Sequence, residues 1–189
     1  MNENTSTKIT NNRQCPILGF AAWSGTGKTT LLKKLIPQLK QHGIRIGMIK
    51  HAHHQFDIDT PGKDSYELRK AGAEQMLVAS SQRWALMTER RLETDDLDLN
   101  NLIARLDQKN LDLILVEGFR HEKLNKIELF RPEMNKPALF PEDDAIIAIA
   151  SNQPEAIVFK DNKSKIPILD LNNTKQIVDY IIAIFNLST

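Results

Sequence analysis

The chain has 189 residues, with 25 Lys and Arg against 24 Asp and Glu and a formal charge of +1 at pH 7. That length predicts one domain with a substantial core, and 41% hydrophobic with 26% charged residues is the composition of a soluble globular protein. The near-zero charge makes no global case for nucleic acid or a membrane as partner, and the single cysteine, Cys15, excludes an intrachain disulfide and fits a reducing, cytoplasmic setting.

From Met1 to Gln14 the residues are mostly polar, with Ile9 the one apolar residue after the start. No apolar stretch of signal-peptide type occurs there, and residues 1–15 read as a disordered leader. Pro16 to Ala22 then reads as a buried strand.

The strand runs into Ala22-Trp23-Ser24-Gly25-Thr26-Gly27-Lys28-Thr29-Thr30. This is the phosphate-binding pattern G-x-x-x-x-G-K-[ST], with Ala22 at the first glycine position. Gly25 and Gly27 let the backbone curl so that amide N–H groups can face phosphate oxygens. Lys28 supplies a compact cation for the β and γ phosphates, and the Thr29 hydroxyl is placed to ligate Mg²⁺. Ser24 to Thr30 are therefore the candidate nucleotide-binding residues. Leu31, Leu32, Leu35, Ile36 and Leu39 follow at helical spacing, which supplies the strand–loop–helix context that the motif needs.

Gly43 marks the helix end, and Ile44 to Lys50 predicts a second strand, completing a βαβ unit with a parallel sheet. A polar stretch from His51 to Gly62 follows, then a helix from about Lys63 to Ala73. Glu74–Ser80 and Trp84–Thr88 predict short strands, either an edge hairpin or two members of the sheet. Leu97–Leu106 predicts a helix and Leu111–Val116 a buried strand. Lys126–Phe130, Ala145–Ala150, Ala156–Phe159 and Ile166–Leu169 predict further strands, and Asn173–Leu187 a closing helix with Ile177, Ile181, Ile184 and Phe185 inward. The fold class expected is α/β: a three-layer P-loop NTPase fold with a mostly parallel twisted sheet and helices on both faces. Residues 16–189 are expected to form a single nucleotide-binding domain.

An acid is required beside the phosphates. Glu117 ends the apolar strand and Gly118 lets the chain turn, so Glu117 is the candidate to hold Mg²⁺ or orient a water. Asp59, in Asp59-Thr60-Pro61-Gly62, is a second candidate for a Mg²⁺ contact, in a loop expected to leave the strand beside the glycine-loop strand. His51, His53 and His54, with Asp57 and Asp59, could supply Zn²⁺ or Ni²⁺ ligands, although helical spacing and a cysteine partner are missing; substrate or nucleotide contacts are the preferred role. Arg120, His121, Lys123, Lys126 and Arg131 could meet an anion or a partner protein, or be a solvated edge. The guanine-reading N-K-x-D is absent, since Asn162-Lys163-Ser164-Lys165 has Lys in place of Asp. Asn152, after the strand Ala145–Ala150, could contact either adenine or guanine. The residues alone leave ATP and GTP open.

The stretches Gly19–Thr30, Ile49–His54, Asp57–Ser65, Ala71–Ala73, Arg83–Met87 and Leu115–Phe119 together resemble the bacterial molybdopterin-guanine dinucleotide biosynthesis protein B family, the MobB type. The similarity covers roughly Ile17 to Arg131. It implies a GTP-binding protein with slow hydrolysis, a homodimer, and an accessory role beside the guanylyltransferase that attaches GMP to the molybdenum cofactor. Lys28 and Glu117 become the expected catalytic residues, with Thr29, Asp59 and Glu117 toward Mg²⁺. Two alternatives stand beside it: a small-molecule kinase using ATP, with Arg83, Arg90 and Arg91 as lid arginines, and a metallochaperone GTPase using the histidines.

Overall fold

The computed structural model describes residues 15–52, 56–90, 97–157, 159 and 166–187. They form two compact units: one comprises the residues up to His51 and those from Leu99 onward, the other Ala52–Asp98.

In the larger unit, β1 (Ile17–Ala21), α1 (Lys28–Gln41) and β2 (Ile46–Lys50) come first. The smaller unit holds α2 (Asp64–Lys70), β3 (Gln75–Ala79) and β4 (Trp84–Thr88). The chain then returns with α3 (Leu99–Ile103), β5 (Leu113–Glu117), β6 (Lys126–Phe130), β7 (Ile146–Ser151), β8 (Ile168–Asp170) and α4 (Thr174–Phe185).

Six strands form a parallel sheet in the order β2-β5-β1-β6-β7-β8. Strands covered on both faces must be apolar almost throughout, and β5 is buried at all five positions. On one face Leu18, Phe20, Leu113, Leu115, Ile127 and Leu129 pack against Leu31, Leu35 and Leu39 of α1 and Ile177 and Ile181 of α4. Each such side chain contributes roughly 1.5–3 kcal/mol by burial. On the other face the segment after α3 lies so close to β2 that a side chain at Gly47 would meet Leu111 Cδ1 at 2.7 Å.

The α1 terminus follows its sequence signal. Gly43 has φ +79°, its N–H bonds Lys40 O at 3.0 Å, and Ile44 N bonds Leu39 O at 3.2 Å, the paired bonds of a Schellman end. Asn173 caps α4, its side chain accepting from Gln176 N at 3.2 Å.

Four expectations change. Ala156 does not begin a strand: Pro154–Ala156 make a 3₁₀ turn, Val158 lies outside the described residues, and β8 takes the place beside β7. The helix expected over 97–106 is regular for only five residues. Ile184 and Phe185 are half-buried, while Val178 is in the core. Lastly, β2 does not lie beside β1, because β5 pairs with both.

In the smaller unit β3 and β4 form an antiparallel hairpin, pairing Leu77 with Leu86 and Ala79 with Trp84. Arg69 of α2 is buried there between the Asp57 and Glu89 carboxylates.

Candidate functional site

Chain direction explains where the site lies. From β1 the path goes outward to β2, returns to β5, and then moves through β6, β7 and β8 on the other side of β1. Ligands of open parallel sheets bind outside the carboxyl ends of the strands where this reversal occurs. At that edge stand Lys50 ending β2, Glu117 ending β5, the glycine loop after β1, Arg131 after β6 and Asn152 after β7.

The loop itself is tightly wired. Gly25 and Gly27 have φ +82° and +101°, a region that side chains with Cβ disfavour. Thr26 is buried; its N–H and hydroxyl both bond Trp23 O, at 3.3 and 2.7 Å. Thr26 therefore shapes the loop with its own polar groups, and its carbonyl accepts from Arg131 Nε at 2.9 Å. Lys28 Nζ folds across the loop to Ala22 O and Trp23 O, at 3.1 and 3.4 Å. Burial pulls the Lys28 ammonium below the usual lysine range; Glu117 opposes that effect and Lys50 adds to it. Ser24, Gly25, Thr29 and Thr30 are exposed. No side chain caps the α1 N-terminus and no acid lies in its first turn, so its orphan N–H groups suit an anion.

Glu117 lies beside the loop strand, in register with Phe20 of β1 and Lys50 of β2. It is buried, and its Oε1 meets Lys50 Nζ at 2.9 Å. The turn behind it admits no side chain: at Gly118, φ +94°, a Cβ would come within 2.5 Å of His51 Cβ. His51 stacks on Phe119 at 4.9 Å between ring centroids, and His51 N bonds Glu117 O at 2.8 Å.

Beyond the loop, Glu133 Oε1 accepts from Asn152 Nδ2 at 2.8 Å and from Arg131 Nη1 at 3.4 Å. The Asn152 side chain is thereby oriented, and its Oδ1 is buried with no protein partner.

The remaining candidates sort by their surroundings. Lys126 is not open to a ligand anion: its ammonium is buried on Arg120 O and the Asp143 carboxylate, both at 2.7 Å. Arg120 stands 5.2 Å from the Trp23 ring, while His121 and Lys123 are exposed. In the smaller unit Asp59 Oδ1 accepts from Ser65 Oγ at 2.8 Å and Thr60 N at 3.1 Å, and its Oδ2 is buried without a partner. Arg83 is exposed beside the hairpin turn. His53, His54, Arg91 and Asn162–Lys165 lie outside the described residues, as does most of the leader. Among the described residues no three His, Cys, Asp or Glu side chains gather as a metal cluster.

Sequence reasoning overlooked Lys50 as the partner of Glu117, Arg131 as a brace of the loop, and Glu133. The position of Lys50 closing an apolar strand was the available signal; the other two depend on tertiary contacts.

The family profile described as "Molybdopterin guanine dinucleotide synthesis protein B" matches residues 17–152. The chain belongs to the MobB family. The molybdopterin-guanine dinucleotide biosynthesis adapter protein of Escherichia coli (strain K12) is 54% identical over 168 residues, covering 88% of this chain and 91% of that protein. Its namesake from Haemophilus influenzae is 43% identical over 171 residues, covering 90% and 89%. A crystal structure of molybdopterin-guanine biosynthesis protein B superposes with a TM-score of 0.67 at 22% identity, covering 90% of this chain and 99% of that one. Bacillus subtilis MobB does so with a TM-score of 0.67 at 24% identity, covering 89% and 96%. These likenesses establish the MobB fold, an α/β P-loop NTPase-like sheet with helices.

Proposed function

We propose that this MobB-family chain is a GTP-binding adapter in molybdopterin guanine dinucleotide synthesis, acting as a cytoplasmic homodimer beside the guanylyltransferase. The observation that carries the reading is the braced glycine loop next to Glu117 at the carboxyl edge of the sheet, in a chain 54% identical to a protein named as such an adapter.

Ser24 to Thr30 would hold the phosphates through backbone N–H groups and Lys28, and the exposed Thr29 hydroxyl and Glu117 would serve Mg²⁺. When bound, Mg²⁺ draws charge from the phosphate oxygens. The Asn152 amide, fixed by Glu133, is the candidate base contact, and the guanine in the relatives' names favours GTP.

Slow hydrolysis follows from the pairing of Glu117. The Lys50 ammonium at 2.9 Å occupies Glu117 Oε1, so that oxygen is not free to orient a water. The hairpin supports the dimer: Leu77, Val78, Trp84 and Leu86 are all exposed, and they lie on both of its faces. Among the described residues no helix is long and apolar enough to cross a membrane.

The test is reconstitution of guanylyl transfer with the partner enzyme, GTP and a molybdopterin substrate. The intact chain is expected to raise product yield several-fold, and Lys28→Ala to remove that gain. Equal stimulation by Lys28→Ala would separate the adapter role from the nucleotide.

A further inference from the structure

A cavity of about 810 Å³ opens between the loop that follows Glu117 and the segment that leads into β7. Its size lies within the range of small-molecule sites, about 300–1,000 Å³. Trp23 forms an aromatic wall and is fixed there, its indole N–H donating to Pro137 O at 2.8 Å. Arg120, 5.2 Å from the Trp23 ring centroid, and Lys123 bring positive charge. Glu142 and Asp144 bring carboxylates, whereas Asp143 is already committed to Lys126 at 2.7 Å. Phosphate binding at the glycine loop uses none of these charged groups.

We propose that this cavity is a second ligand site, for a fused 2-amino-4-oxopyrimidine ring that carries a phosphate. A planar guanidinium stacks on flat rings and also pairs with phosphate oxygens, so Arg120 suits both parts of such a ligand. Trp23 adds the π surface, and Lys123 adds charge for the phosphate. The ring N–H and adjacent amino group form a two-pronged donor edge that a carboxylate from Glu142 or Asp144 can accept. Adenine has no such edge. Guanine nucleotides and pterin phosphates both do, and the same site chemistry serves either. The site does not depend on GTP at the glycine loop.

Calorimetry on the full chain with GMP and neopterin monophosphate as probes, and AMP as control, tests the assignment. At least one probe is expected to bind one-to-one more tightly than millimolar, with AMP at least about tenfold weaker. Whichever of the two probes displaces the other identifies the source of the ring. Lys28→Ala, which disables the glycine loop, should leave this binding within about threefold. Arg120→Ala with Lys123→Ala, and separately Glu142→Gln with Asp144→Asn, should each weaken it about tenfold or more. In a Trp84→Phe background, Trp23 is the sole tryptophan, and its fluorescence should change saturably with the same affinity. The proposal is overturned if neither probe binds, if AMP binds as well as GMP, or if binding disappears in Lys28→Ala while surviving both pairs of cavity substitutions.

Discussion

Lys50 and Glu117 are register partners at the carboxyl ends of β2 and β5, and their side chains meet at 2.9 Å. Glu117, in register with Phe20 of the glycine-loop strand, is therefore already partnered by an ammonium. Glu117→Gln is expected to slow GTP hydrolysis about tenfold, roughly 1.4 kcal/mol of barrier, while GTP affinity stays within about threefold. Lys50→Met should raise turnover, because it releases the carboxylate. Single-turnover hydrolysis with a parallel binding titration checks both signs; turnover unchanged in Glu117→Gln would reduce Glu117 to a strand-end acid and move attention to Asp59.

Gly118→Ala addresses the turn that aims Glu117. The positive φ and the 2.5 Å approach to His51 act together, so a loss of about 2 kcal/mol or more is expected. For a chain of this size that is a Tm fall of roughly 4–8 °C. Calorimetric melting measures it, and an unchanged Tm would show that the turn relaxes freely.

Glu128 gives a pH signature. It is fully buried and accepts from Leu139 N at 2.7 Å and Phe140 N at 2.8 Å, yet burial outweighs those bonds and pushes its carboxyl up to about 6. Between its unfolded value of 4.5 and about 6 the folded chain holds more protons, so this group's contribution to stability falls as pH rises through that window. The difference is on the order of 2 kcal/mol. Glu128→Gln should remove that slope, seen as the difference between denaturation midpoints of the two proteins from pH 4.5 to 7. Parallel curves would mean that Glu128 does not titrate there.

If the chain forms the proposed dimer through its hairpin, Trp84→Lys with Leu86→Lys should leave it monomeric with the parallel sheet folded, since both residues are exposed on the hairpin of the separate smaller unit. Light scattering with circular dichroism checks this. A dimer that survives both charges would place the interface elsewhere.

Much of the fold was legible because parallel strands covered on both faces are written as unbroken apolar runs; Leu113–Val116 and Ile146–Ala150 could hardly be anything else. Strand order was not legible. The chain leaves β1 for β2 and only later inserts β5 between them, and no local pattern encodes that choice. The strand expected from Ala156 was misread because so short an apolar run carries too little pattern to outweigh the turn that Pro154 begins and Ala156 ends. The glycine loop was legible because its motif fixes residue types at fixed offsets, and the place of Glu117 because it closes a buried apolar strand, which the sheet sets beside β1. Arg131 reaching Thr26 O spans 105 positions, and periodicity is silent about such contacts.

Side-by-side titrations of the intact chain and Lys28→Ala with Mg²⁺·GTP and Mg²⁺·ATP test most directly whether the glycine loop binds GTP through Lys28. The intact chain should bind GTP more tightly than ATP, and at 100 times Kd GTP should stabilise it by about 2.7 kcal/mol. That corresponds to a Tm rise of roughly 5–10 °C. Lys28→Ala should fold and show no such rise. A full GTP-dependent rise in Lys28→Ala, or no GTP binding by the intact chain, would contradict the account.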